Sequence, residues 1–327
     1  MTEPTTDAAP FVRADVRAFL GYLNNLPGPR THEMTLVEAR TAMRAMCDVA
    51  DPPRGELAVI RDVTIRGAGS DDMPARLYDA RETRAPGPAV VFFHGGGWVI
   101  GDIDSHASLA AEMARQLDLP VISVGYRLAP EAPFPAAPDD AEAAARWVAE
   151  SPDALGRAVT GLVVSGDSAG GNLAIVVAAA LRDRPAAVPV IVQAPIYPAT
   201  DATRHYASFD SFADGYLLTR ETMAWFGGQY RPVADDPRFS PLAGELAGLP
   251  PAVIVSAGLD PLRDQARAYA AALALAGVAV TYQEAAGNIH GFATLRRAIP
   301  SSQGDIAAFL DAVNAAVASA QRAQAAG

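Results

Sequence analysis

The stretch Leu162-Val163-Val164-Ser165-Gly166-Asp167-Ser168-Ala169-Gly170-Gly171-Asn172-Leu173-Ala174 decides the fold of this chain. It opens on a short apolar run, passes through small residues, and continues as an apolar helix-forming segment to about residue 183. Such a run predicts a buried strand that turns sharply into a helix. Gly166-Asp167-Ser168-Ala169-Gly170 matches G-x-S-x-G. A serine on a sharp strand-to-helix turn holds its hydroxyl above the sheet edge, and its strained backbone demands small neighbours. Gly166, Gly170 and Gly171 meet that demand. The helix beginning near Ala169 directs its positive end at any anion formed there. The pattern alone also fits a glycine-rich turn with Ser168 as a helix N-cap. A dinucleotide-binding loop would need G-x-G-x-x-G and a P-loop a Lys-Ser/Thr pair; neither is present in this stretch.

Outward from this turn, β-prone runs recur at 62–66, 75–79, 89–93, 120–124, 161–165, 189–193, 252–257 and 278–283. Helical patterns fall between most of the later ones, near 104–118, 138–150, 169–183, 263–276 and 293–322. Alternation of this kind predicts an α/β fold with a mostly parallel sheet of about eight strands flanked by helices. The first two runs have no helix between them and predict an antiparallel hairpin. Two regions lie outside the rhythm. One is a helical N-terminal segment, 1–55, with helices over 11–26 and 35–50 and a capping box from Thr35 to Glu38. The other is an aromatic-rich insertion at about 199–245, with one helix near 220–230 and otherwise loops. It is too long for an ordinary connection and reads as a cap, a dimer surface or core padding. Both pieces together are candidates for one helical cap on a catalytic domain spanning 56–327. The first ten residues read as a loose tail.

A serine hydroxyl needs a base, and negative charge developing on a carbonyl oxygen needs donors. His94-Gly95-Gly96-Gly97-Trp98 follows the strand AVVFF, where three consecutive glycines allow backbone N–H groups to approach a ligand. Gly95 and Gly96, with Ala169 after the serine, are the expected oxyanion donors; His94 reads as a structural residue that orients the loop. Of five histidines, His290 lies in the loop after the last strand and is the candidate base. His32, His106 and His205 sit in the N-terminal segment, at a helix start and in the insertion. Asp260 ends the strand AVIVSAGL and is the candidate carboxylate that orients the imidazole, with a plain helix N-cap as its competing role and Asp264 as second choice. The chain order Ser168, Asp260, His290 is the one expected of a parallel-sheet acyl-transfer enzyme.

Composition is compatible with this. Half of the 327 residues are hydrophobic, 19 % are charged and the net charge is −11, which supports a large core and argues against nucleic acid or an anionic membrane as partner. The single cysteine, Cys47, allows no intrachain disulfide, and reads as a small buried residue in a helix. The acidic, polar N-terminus does not read as a signal peptide, and no apolar run is long enough to span a membrane, so the expected location is cytoplasmic. The scattered histidines do not suggest a metal site.

Taken together, HGGGW at 94–98, GD at 101–102, YRLAPE at 126–131, FPAAPDD at 134–140, GDSAGGNLA at 166–174, YP at 197–198, DPLRD at 260–264 and HGF at 290–292 resemble the hormone-sensitive lipase group of the α/β-hydrolases, the bacterial lipolytic family IV. The resemblance covers about 60–322, with N-terminal helices similar to that family's cap segment. It implies a carboxylesterase acting on short- to medium-chain acyl esters, with Ser168, Asp260 and His290 as triad. It also implies no cofactor, no metal, a small-molecule ester as partner and a homodimer. Asp167 resembles the branch with Asp before the serine. Arg127 and Glu131 are implied to be structural supports of the site. The family's cap placement puts Tyr206, Phe209, Phe212 and Leu217 on a lid wall, with Trp98 beside the oxyanion loop. An amidase would carry the same triad. Related plant gibberellin receptors have lost the catalytic histidine, whereas His290 is present here.

Overall fold

The computed structural model describes residues 9–68 and 72–326. The tail expected at the extreme N-terminus falls mostly on residues outside them. Two helices come first, α1 (Ala14–Leu23) and α2 (Leu36–Ala50). A sheet and its flanking helices follow in the order β1 (Val59–Arg66), β2 (Asp72–Asp79), β3 (Gly87–Phe93), α3 (Ala107–Leu117), β4 (Val121–Val124), α4 (Ala136–Ala149), β5 (Val159–Asp167), α5 (Ala169–Asp183) and β6 (Val190–Ile196). The chain then passes through α6 (Ala207–Ser211) and α7 (Arg220–Tyr230) before β7 (Ala252–Leu259), α8 (Arg263–Leu275), β8 (Val280–Ile289) and α9 (Ser302–Ala326).

The eight strands form one sheet in the order β1-β2-β4-β3-β5-β6-β7-β8. β2 runs antiparallel to both β1 and β4, and every other pairing is parallel. Strand alternation splits the core into two layers. On β3, Val91 and Phe93 join the layer covered by α4, α5 and α8, whereas Val90 and Phe92 join the layer covered by α3 and α9. Both faces of the central strands are therefore apolar, which accounts for the continuous hydrophobic runs.

Element limits shift where local chemistry intervenes. α1 begins at Ala14 because Arg13 is extended, its N–H donating to the Gly287 carbonyl 3.2 Å away. α9 starts at Ser302, after Pro300 and a short helical turn at Phe292–Thr294, so residues 293–301 do not form the expected helix. β8 continues to Ile289 and delivers His290 directly from its end. The insertion contains a second short helix, α6, where loop was expected.

The capping box of α2 is formed by Thr35 and Glu38. A third apolar cluster ties Val16 and Leu20 of α1 and Ala50 of α2 to Phe212, Leu259, Ile289 and Leu295. The Arg30–Asp214 ion pair joins the same two regions at 2.8 Å, and Asn24 donates to the Gly215 carbonyl. The N-terminal helices thus pack on both the insertion and the ends of β7 and β8. Cys47 is buried in α2, and burial pushes its thiol up to about 12.

Candidate active site

Ser168 stands between β5 and α5 with φ +55° and ψ −115°, a conformation an L-residue holds only when its surroundings enforce it. Its N–H donates to the Ile196 carbonyl at 2.9 Å. The packing leaves no room for a β-carbon nearby: one at Gly170 would land on the Phe93 carbonyl oxygen, and one at Gly166 on the Gly170 backbone. The side chain caps nothing in α5, which removes the N-cap reading. Instead Ser168 Oγ lies 2.9 Å from His290 Nε2. His290 Nδ1 lies 2.7 Å from Asp260 Oδ2. The other oxygen of Asp260 accepts the Leu262 N–H at 2.8 Å, so this fully buried carboxylate both shapes the turn into α8 and faces the imidazole. Asp264 points elsewhere, to Arg263, Arg267 and the Ser208 N–H.

The glycine loop departs from expectation at one residue. Gly95 N–H donates to Asp167 Oδ1 at 2.7 Å, and a β-carbon on Gly95 would collide with that carboxylate. Gly95 is therefore spent on anchoring the loop. Gly96 and Gly97 line the cavity with Ser168 and Ala169, and their amides have no hydrogen-bond partner among the described residues. Of the expected donors Gly95, Gly96 and Ala169, Gly95 thus has its N–H engaged elsewhere, while Gly97, which was not in that set, lines the cavity beside Gly96 and Ala169. His94 is fully buried, stacked on Tyr126 at 4.3 Å, with Nδ1 2.8 Å from the Gly95 carbonyl oxygen. Burial, aided by the neighbouring His106, lowers it to about 4, so its ring is neutral and Nδ1–H donates to that carbonyl. Tyr126 O–H donates to the His94 carbonyl, a second brace on the same loop.

Asp167 was read from the sequence only as a family variant. It is 4 % exposed, and its carboxyl stays below the usual range. Burial opposes this, but the buried His106 and the Gly95 N–H outweigh it. Motif residues farther out are structural. Arg127 is held to Asp140 at 2.8 Å, and Glu131 to Arg40 of α2 at 2.7 Å.

Above the serine lies a cavity of about 620 Å³. Trp98, Phe226, Tyr230 and Phe239 line one part, with Trp98 and Tyr230 stacked at 4.6 Å. Phe209 and Leu217 also line it, as expected. Tyr206 and Phe212 are not among the lining residues. The Tyr206 hydroxyl donates to Asp201 at 2.6 Å, and Phe212 packs into the cluster with Val16 and Leu20 under the Arg263 guanidinium. The sequence reading missed Met43 and Met46 of α2 and Met223 and Phe226 of α7 as lining residues. Their apolar character was visible, but nothing in the local pattern showed which side they face. His205 lies at this cavity too, paired with Asp210 at 2.7 Å, while His32 sits in the turn before α2. No group of three or more potential metal ligands occurs among the described residues, and no helix among them is long and apolar enough to cross a membrane.

A hydroxyl, an imidazole and a carboxylate in line, beside free backbone donors at a helix N-terminus, can carry out nucleophilic acyl transfer. Comparison with known proteins agrees. The sequence profile of the alpha/beta hydrolase fold matches residues 90–294. Carboxylic ester hydrolase LipN of Mycobacterium tuberculosis is 43 % identical over 270 residues, 80 % of this chain and 71 % of that protein. Ethyl acetate hydrolase of Pseudomonas putida is 40 % identical over 267 residues, 80 % and 84 % of the two chains. Among solved structures, the Ser161Ala mutant of LAE6, an alpha/beta hydrolase enzyme from the metagenome of Lake Arreo, superposes with a TM-score of 0.86 at 34 % identity, covering 93 % of this chain and 98 % of that one.

Proposed function

Because this chain belongs to the α/β-hydrolase family, in its hormone-sensitive lipase group, and is a serine carboxylic ester hydrolase, we propose that it cleaves short- to medium-chain acyl esters at Ser168. The observation that carries the assignment of residues is the continuous contact Ser168–His290–Asp260, at 2.9 and 2.7 Å, beneath a mainly apolar cavity. His290 Nε2 accepts the Ser168 proton as Oγ attacks the ester carbonyl. The amides of Gly96, Gly97 and Ala169 stabilise the tetrahedral oxyanion. His290 then protonates the leaving alcohol, afterwards takes a proton from the water that attacks the acyl-enzyme, and returns it to Ser168 Oγ as the acid departs. Asp260 holds the imidazole tautomer and stabilises its protonated form throughout.

The cavity volume suits acyl chains of two to eight carbons, and the name of the ethyl acetate hydrolase relative points to the short end of that range. The lid is assigned to the N-terminal segment, through its helices α1 and α2, together with the insertion at about 199–245, a reading supported by the apolar cluster that Val16, Leu20 and Ala50 share with Phe212. Cytoplasmic residence and a homodimer complete the proposal; fractionation and light scattering test them. The decisive experiment is hydrolysis of p-nitrophenyl esters over a chain-length series, with a phosphonate probe mapped by mass spectrometry. Ser168→Ala is expected to abolish both turnover and labelling. Undiminished hydrolysis by that variant refutes the assignment, and a peak beyond about ten carbons refutes the chain-length range given the usual size of such pockets.

A further inference from the structure

The pair His106–Asp167 lies one residue from the nucleophile, yet the reaction as described uses neither side chain. His106 is fully buried at the N-terminal end of α3, and Asp167 ends β5. Nε2 of His106 is 3.1 Å from Asp167 Oδ1, and the Gly95 N–H, which donates to that same oxygen, also lies 3.3 Å from Nε2. Nδ1 of His106 is 3.0 Å from Ser105 Oγ. The hydroxyl hydrogen of Ser105 is committed to the Asp102 carbonyl at 2.9 Å, so toward His106 it offers a lone pair. The Gly95 hydrogen goes to the nearer and stronger acceptor, Asp167 Oδ1 at 2.7 Å, which leaves Nε2 facing that carboxylate and Nδ1 facing Ser105 Oγ; with hydrogen on both ring nitrogens His106 is an imidazolium.

The surrounding charges agree with this. His94, whose ring centroid is 5.6 Å away, is neutral. Asp102 accepts from the Ser105 N–H and is paired with Arg44; Asp51 is paired with Arg296. Burial opposes the charge on His106, but Asp167, Asp102 and Asp51 outweigh it and raise its pKa.

We propose that His106 is a positioning residue. It neutralises Asp167, so that this carboxylate can grip the Gly95 amide and hold the oxyanion loop without placing an uncompensated negative charge beside the developing oxyanion. Two physical demands meet here. A carboxylate is a strong acceptor for anchoring an amide, and charge-assisted bonds are the shorter and stronger kind. A bare buried carboxylate next to an oxyanion would oppose the stabilisation that Gly96, Gly97 and Ala169 supply. A buried cation on the far side of Asp167 reconciles them.

The inference rests on the serine ester hydrolase reading, and a double-mutant cycle separates the two. The variants are His106→Gln, Asp167→Asn and both together, assayed with p-nitrophenyl acetate and a phosphonate probe. Glutamine keeps a donor but no charge; asparagine keeps an acceptor for Gly95. His106→Gln is expected to lower kcat about 100-fold with KM within about threefold, on the scale of losing one oxyanion donor. Asp167→Asn is expected to lose less than about tenfold, because asparagine still accepts from Gly95 and a buried His106 without its counter-ion gives up its proton, so that neither partner keeps a charge. The double variant is expected to turn over at least about tenfold faster than His106→Gln, a rescue that a packing role for His106 does not produce. If His106→Gln does not fold, the double variant is compared with Asp167→Asn, and their kcat values are expected to agree within about threefold. Wild-type kcat in His106→Gln, a double variant no faster than His106→Gln, or one more than about tenfold slower than Asp167→Asn overturns the proposal. Turnover that persists in Ser168→Ala overturns the hydrolase assignment instead.

Discussion

Asp51→Asn probes whether the N-terminal helices and the His290 loop form one unit. Asp51 follows α2, and its carboxylate meets Arg296, which lies in the turn after His290. Oδ1 accepts from Arg296 Nε at 2.9 Å and Oδ2 from Nη2 at 3.0 Å, with both side chains 2 % exposed. The Arg296 backbone N–H adds a longer bond of 3.3 Å, and Nη2 also reaches Ser108 Oγ at 2.7 Å. Asparagine keeps the shape but removes the charge, leaving a buried guanidinium without its counter-ion. Breaking a buried pair from one side costs about 3–5 kcal/mol. At about 2.1 cal/mol/K of unfolding entropy per residue, a chain of 327 residues has roughly 0.7 kcal/mol/K, so Tm should fall by about 4–7 °C. Urea unfolding monitored by tryptophan fluorescence, with calorimetry alongside, measures both quantities. The control is the apolar double variant Asp51→Leu/Arg296→Met, expected within about 2 kcal/mol of wild type because both desolvated charges are gone. A loss below about 1 kcal/mol in Asp51→Asn, or a double variant less stable than the single one, would falsify the reasoning that this pair is a buried, mutually dependent clamp.

Four further outcomes follow from the structure. Asp260→Asn should lower kcat by about 10³–10⁴-fold with little change in KM, since the amide favours the wrong His290 tautomer; steady-state kinetics decides. Gly170→Ala places a β-carbon on the Phe93 carbonyl oxygen, so the elbow must move; the expected loss is about 1–3 kcal/mol in urea, with phosphonate labelling of Ser168 slowed. Gly228→Ala inside α7 meets nothing within 4 Å and should raise stability by about 0.5–1 kcal/mol, measured the same way. The last outcome concerns pH. Asp167 titrates below its ordinary 3.8 in the folded state, so its contribution is full above that value and fades as pH falls through the depressed one. His106 titrates above its ordinary 6.5, so the pair's contribution is full below that value and fades as pH rises through the raised one. The stability difference between wild type and Asp167→Asn should therefore be widest between pH 3.8 and 6.5 and narrow on both sides. A difference that does not change with pH contradicts the pairing.

Much of the scaffold was legible because its signals are local. All eight strands overlap the β-prone runs, and central ones such as β3 and β7 read as continuous apolar stretches because a strand covered on both faces needs apolar residues at successive positions. Helix limits were less legible. Arg13 is drawn into extended backbone by Gly287, a residue far along the chain, and no periodicity within α1 announces that. In the cavity wall, Phe209 and Leu217 turn inward, while Phe212 of the same insertion turns to the apolar cluster with α1. Three apolar residues within nine positions look alike in sequence; the direction of each depends on what packs against it.

The sequence by itself determined the crowded serine turn, the glycine loop, and the three groups that meet at Ser168. Each follows from residue type beside a strand end, a relation that needs only neighbours in the chain. The tertiary structure alone decided how the loop's amides are divided. Gly95 anchors to Asp167, 72 residues away, while the N–H groups of Gly96 and Gly97 have no partner among the described residues. Three identical glycines carry no local distinction. A carboxylate from another strand, with His106 beside it, supplies one through charge and a close approach that only glycine permits.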